Sequence, residues 1–244
     1  MQWMRLAHPL FLERPPQRRE KSMAFREILV TTAAGFGQAA WITVQLTFLS
    51  LLLGSVLGLI LAFFKISSIR VLQWIANLYI ALIRGTPLIV QIMFFYFGLA
   101  QGLGWNINEF PAGILALGIH AAAYIAEIFR GAIQSIDRGQ MEAARSLGMS
   151  YPQAMRRIVM PQAFRRSLPP LGNQFIIGLK DSSLVAYIGV NELFGMALSE
   201  ASANYQPFLT YAVNGLYYLA LVLIFTFLLH RMEKHLHRDK GGTA

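Results

Sequence analysis

The apolar residues of this chain fall in long blocks separated by polar or basic stretches. Several blocks are long enough to cross a bilayer core of about 30 Å, which takes roughly 20 helical residues. A first span is expected over about 38–64. A second apolar block, about 71–100, is interrupted by Arg84-Gly85-Thr86-Pro87. Pro87 lacks a backbone donor and clashes with the preceding turn, so a kink is expected there. Third, fourth and fifth spans are expected over about 112–133, 168–190 and 208–229. A bilayer tolerates only helices or closed barrels, and these runs are too long and too uniformly apolar for barrel strands. The pattern therefore predicts an all-α integral membrane protein with five transmembrane helices. Gly54 and Gly58 in the first span have the small-xxx-small spacing that permits close helix packing; tolerance of glycine on a lipid-facing surface is the alternative.

Composition agrees: 55% of the 244 residues are hydrophobic and only 14% charged, with a mean hydropathy of +0.48. The net charge of +9 does not point to nucleic acid, because the basic residues lie between the apolar blocks. There is no cysteine, hence no disulfide framework or thiolate metal site. Lys65, Arg70, Arg130, Arg138, Arg145, Arg156, Arg157, Arg165 and Arg166 all fall in two loops on one side, whereas the opposite loops, 101–111 and 191–207, hold no Lys or Arg. That asymmetry puts segment 137–166 and the basic tail 236–244 in the cytoplasm. Five spans then place the N-terminus outside. The basic residues Arg14, Arg18, Arg19 and Lys21 oppose this, so translation is expected to start at Met23, with residues 1–22 an extension and 1–37 a segment outside the membrane domain 38–235. Trp41, Trp74 and Trp105 read as interface anchors.

Charges inside a bilayer are costly, about 2.5–3.5 kcal/mol on insertion scales, which makes Arg84, Lys180 and Asp181 functional candidates. Arg84 lies 13 residues beyond Val71, about 20 Å along its helix, and Lys180 lies about 18 Å beyond Leu168, so the two can meet at one level. Gln174, Gly178 and Asp181 share a helix face at i, i+4 and i+7, with Lys180 roughly 120° away. Such a pocket suits a zwitterion: Arg84 for a carboxylate, Asp181 for an ammonium. The alternative is that Arg84 and Asp181 only neutralise each other. Glu127 and Arg130, one turn apart, read as a local pair at the membrane edge. His120 has no His, Asp or Glu at ligand spacing, so no metal is expected.

Between the third and fourth spans lies EAARSLGMSYPQAMRRIVMP, residues 142–161. Glu142 suits the early turns of a helix, and Ala143 and Ala144 continue it smoothly. Gly148 permits a turn, and Ser150 can cap a new helix with Pro152 early in it. The arrangement of Glu142, Ala143, Ala144, Gly148, Ile158 and Pro161 resembles the loop of the integral-membrane subunits of ABC importers, with Met160 where that family usually has Leu. The resemblance implies the fold of a type I importer permease. It also implies that this segment is a coupling helix docking on a separate ATP-binding subunit; a basic helix lying on anionic lipid is the alternative.

The runs IRGTPLIVQIMFFYFGL (83–99), AAYIAEIFRGAIQSI (122–136) and LPPLGNQFIIGLKDSSL (168–184) look like the polar amino-acid permease family, of histidine, arginine and glutamine type. This resemblance implies a substrate pocket with Gln174, Lys180 and Asp181, the Arg84 and Thr86 loop adjacent. Gln174 where members often have Glu favours a neutral, glutamine-like substrate over a cationic one. It further implies a second permease subunit, identical or related, two ATP-binding subunits, a periplasmic solute-binding protein on the outer loops, and a place in the bacterial inner membrane. The chain contains no G-x-x-x-x-G-K-[ST] phosphate loop, so ATP is expected on a partner and no cofactor on this chain. The rival readings are an ion-coupled secondary transporter using Asp181 and an intramembrane enzyme. The first meets five spans without a visible inverted repeat, and the second meets Ser182 and Ser183 with no nearby buried His.

Overall fold

The computed structural model describes residues 25–100, 102–104 and 107–238. The expected extension 1–22 and Trp105 lie outside them. The described residues form helices and turns, with no strand among them. A short α1 (Phe25–Thr31) leads into α2 (Ala33–Ile66), which is longer at both ends than the expected first span. After a turn come α3 (Arg70–Arg84), α4 (Leu88–Met93) and a π-helical stretch, Phe94–Ala100. α5 is Glu109–Gln134. The loop that follows holds α6 (Arg138–Ser146) and one turn, α7 (Tyr151–Ala154), which continues through a π-helical stretch, Met155–Val159, into α8 (Met160–Asp181). A 3-10 segment, Ser182–Ile188, then precedes α9 (Leu193–Asn204) and α10 (Pro207–Arg238).

Among the described residues, α2, α5 and residues 207–236 of α10 are long and apolar enough to cross a membrane, and α3 with Leu88–Leu99 makes a fourth span if the bent pair is counted as one. Two expectations change here. The second block is bent by 105°, far more than a kink. The fourth span is not a helix over 168–190: α8 begins at Met160, ends at Asp181, and with its prolines, amides and arginines is too polar to qualify by the same measure. The basic residues preceding Leu168 mark a change of surroundings, not a break in the helix.

α2 and α5 form the main helix pair, and the glycines of α2 are why they approach so closely. A Cβ on Gly58 would lie 2.8 Å from Ile125 Cγ2 and 3.0 Å from the Ala126 nitrogen, and one on Gly54 would lie 3.0 Å from Ala121 Cβ. The close-packing alternative therefore holds over lipid exposure. Leu46, Ile92, Leu117 and Val185 make one buried cluster across α2, α4, α5 and the 3-10 segment. Ile28, Phe36, Leu193 and Val213 make another between α1, α2, α9 and α10. A third joins the loop to α5 through Ile133, Ile136, Val159 and Ala163, with Met141 and Met155 packed on it.

Candidate functional site

The break between α3 and α4 is built by three successive residues. The Gly85 N–H closes the last turn of α3 on Ala81 O at 2.8 Å, Thr86 Oγ1 donates to Leu82 O at 2.9 Å, and Pro87, at φ −63 and ψ 139, starts α4 in a new direction. Arg84 is thereby left at a helix end, its guanidinium 4.6 Å from the centre of the Tyr124 ring on α5. It opens on a cavity of about 510 Å³ that also touches Glu127, Ser135, Arg166 and Gln174. A second, small cavity of about 20 Å³ is lined by Thr47, Ser50, His120, Gln174, Gly178 and Asp181. That volume accommodates a single water-sized group. The Ser50 hydroxyl is buried and has no hydrogen-bond partner among the described residues.

Gln174, Gly178 and Asp181 thus line one cavity, as their shared face predicts, and Gln174 reaches both cavities. Lys180 lies exposed on another side of α8 and lines neither. Arg84 and Asp181 form no ion pair with each other, and the level shared by Arg84 is that of Gln174, four residues short of Gly178 along α8. Thr86 lines neither cavity but accepts a hydrogen bond from Gln91 Nε2 at 2.8 Å. Glu127 and Arg130 pair at 2.7 Å as expected, and Lys65 from the end of α2 joins them at 2.5 Å, tying α2 to α5 beside the larger cavity. Arg166 reaches Ser135 from the opposite wall.

In the loop, Asp137 caps α6 through the Gly139 N–H at 2.6 Å. Gly148 has φ +84, a conformation disfavoured for side-chain-bearing residues. Ser150 and Gln153 form a reciprocal capping box at the start of α7, with Pro152 in its first turn. Glu142, Ala143 and Gly148 are exposed, Ala144 is buried, and Leu147 and Tyr151 present apolar surface at 82% and 51% exposure. Ile158 sits in the π-helical stretch just before Pro161, whose missing N–H removes a helical hydrogen bond at that point.

Two features escape sequence reading. Glu192 is 0% exposed and caps α9: Oε1 accepts from the Phe194 and Gly195 N–H groups at 2.9 Å, and Oε2 from Tyr218 OH at 2.6 Å and Thr43 Oγ1 at 3.4 Å. Burial pushes its carboxyl above the usual carboxylate range, and these hydrogen bonds limit the rise. The other is Gln91, buried in α4 and joined to His120 Nδ1 at 2.9 Å. An acid capping a helix was the only available signal for the first; nothing local marks the second.

Residues 54–238 match the family described as binding-protein-dependent transport system inner membrane component. The arginine transport system permease protein ArtQ of Bacillus subtilis is 40% identical over 195 residues, 80% of this chain and 89% of that protein. The glutamine transport system permease protein GlnP of Escherichia coli is 38% identical over 82% of this chain and 91% of its own length. Among solved structures, an amino acid ABC transporter crystallised with histidines matches with a TM-score of 0.80 at 42% identity, over 88% of this chain and 99% of that one. The methionine ABC transporter MetNI in an inward-facing form matches at a TM-score of 0.71 and 21% identity, a likeness of fold.

Proposed function

Because the chain belongs to the inner membrane components of binding-protein-dependent transport systems, we propose that it is the permease subunit of an ATP-driven importer of polar amino acids. The observation that carries this reading is Gln174, buried between a cavity bearing the Arg84 cation and one bearing the Asp181 carboxylate. A zwitterion offers the opposite charges at its two ends, so a carboxylate directed at Arg84 and an ammonium directed at Asp181 fit the two cavities. Thr86 holds the turn that presents Arg84, and Lys180, on another side of α8, stays outside both cavities. An amide at Gln174 adds no charge of its own, which favours a neutral, glutamine-like side chain over a cationic one.

The segment around Glu142, Ala143, Ala144, Gly148, Ser150, Ile158 and Pro161 is the docking element for an ATP-binding subunit. Its exposed Leu147 and Tyr151 supply an apolar contact, its capped turn a rigid one. ATP is held by that partner, and this chain needs no cofactor. Two permease subunits, identical or related, two ATP-binding subunits and a solute-binding protein complete the assembly in the bacterial inner membrane. Alternating access about the two cavities follows the logic of sites near the bilayer midplane.

The test is uptake of labelled amino acids by the complex in proteoliposomes, with and without ATP and binding protein. ATP-dependent uptake of glutamine well above arginine is expected. Good transport of arginine with none of glutamine would reject the neutral-substrate reading. Gln174→Glu should move preference toward cationic substrates by about tenfold, the effect of one charge-assisted contact of roughly 1.5–3 kcal/mol after discount for solvent.

A further inference from the structure

Breaking a helix leaves the carbonyls of its last turn without helical donors. At the end of α3 the Thr86 hydroxyl serves Leu82 O and the Gln91 side chain serves Ile83 O. Its Nε2 reaches Ile83 O at 2.7 Å, Thr86 O at 3.1 Å and Thr86 Oγ1 at 2.8 Å. The Thr86 hydroxyl donates its hydrogen to Leu82 O, so toward Gln91 it only accepts. All three contacts are therefore acceptors, which fixes the nitrogen end of the carboxamide. The oxygen end, Oε1, faces His120 Nδ1 at 2.9 Å, and Nδ1 must be the donor. Neutral His120 then carries its hydrogen on Nδ1 and keeps Nε2 as an acceptor.

His120 belongs to both parts of the site. Its ring lines the small cavity with Ser50, Gln174 and Asp181. One turn along α5, Tyr124 lies 5.2 Å from the His120 ring and supports the Arg84 guanidinium. α5 thus holds the Arg84 turn at two points, through Gln91 and through Tyr124.

We propose that His120 and Gln91 are a positioning pair, whose single Nδ1–H to Oε1 hydrogen bond holds the Arg84 turn in register with the cavity of Gln174 and Asp181. The proposal rests on the reading that these cavities lie on the substrate path. Substrate affinity should then depend on the hydrogen bond even where neither residue touches substrate.

The reconstituted complex tests this with His120→Asn, whose amide N–H can replace Nδ1–H, and His120→Leu, of similar size and uncharged but without that donor. Gln91→Leu removes the acceptor together with the Nε2 contacts to Ile83 and Thr86. His120→Leu and Gln91→Leu should each raise the half-saturation concentration for uptake about tenfold, with maximal rate changed less than about threefold. The double variant should be no worse than Gln91→Leu alone. His120→Asn should stay within about twofold of the unaltered chain. Equal half-saturation for the Asn and Leu variants of His120, or fully additive effects in the double variant, would overturn the pairing. Independently of transport, the imidazole 15N spectrum should report the Nδ1–H tautomer for His120 and lose that signature in Gln91→Leu; an Nε2–H tautomer overturns the proposal. An unaltered complex that imports no amino acid under ATP, with the Nδ1–H tautomer present, would instead reject the functional reading.

Discussion

Glu192 shows how one buried acid can organise an end of the molecule. It caps α9, accepts from Tyr218 of α10 and meets Thr43 of α2, while Thr43 Oγ1 in turn accepts the Leu193 N–H at 3.1 Å. Because burial raises its carboxyl pKa, the folded chain holds this proton more tightly than the unfolded one does. The linked stability is full below the unfolded carboxylate value, about 4, and is lost as pH rises through the higher folded value. Glu192→Gln does not titrate, so the melting-temperature advantage of the unaltered protein over this variant should shrink as pH rises across that window. A pH-independent difference between the two would sink the assignment. Sequence reading reached Gln174, Gly178 and Asp181 because i, i+4 and i+7 spacing is local. It passed over Glu192 and Gln91 because their partners, Thr43 and His120, lie 149 and 29 residues away and only packing brings them together.

Among the elements, α2 and α5 are set by their glycines. Gly58→Val should drive a methyl into Ile125 and the Ala126 backbone and destabilise by about 1–3 kcal/mol, read as a lowered unfolding temperature in detergent. Gly37→Ala, with nothing within 4 Å of the added carbon, should leave that temperature unchanged or raised. In the loop, Gly148→Val forces a β-branched residue to φ +84, at roughly 1–2 kcal/mol. Its expected signature is loss of ATP-driven uptake with insertion and amount in the membrane preserved, and uptake at the unaltered rate would count against a docking role for the turn. The same outcome is expected for Glu142→Lys. The capped turn at Ser150 and the place of the bend at Pro87, though not its 105° angle, were legible because their signals lie in consecutive residues. The continuity of α7 with α8 was not, since Pro161, Pro169, Pro170 and four nearby arginines resemble an interruption. A proline removes one hydrogen bond without ending a helix that packing holds, here through Val159 and Ala163.

For the whole molecule, apolar side chains of α10 such as Leu219, Leu223 and Phe227 are more than half exposed, which suits lipid or a second membrane subunit and not water. The distribution of Lys and Arg predicts a cytoplasmic C-terminus, and on that expectation a reporter active only outside the cytoplasm should be silent at the C-terminus and active within 191–207. Tyr151 to Asp181 runs without a loop, about 45 Å at roughly 1.5 Å per residue. An element of this length has the geometry of a tiller: a tilt of about 5° about its Tyr151 end would sweep the Asp181 end by about 4 Å, more than the length of a hydrogen bond. On the proposed docking of an ATP-binding subunit at this segment, a small rotation imposed around Tyr151 would be enough for Gln174 and Asp181 to exchange one set of partners for another.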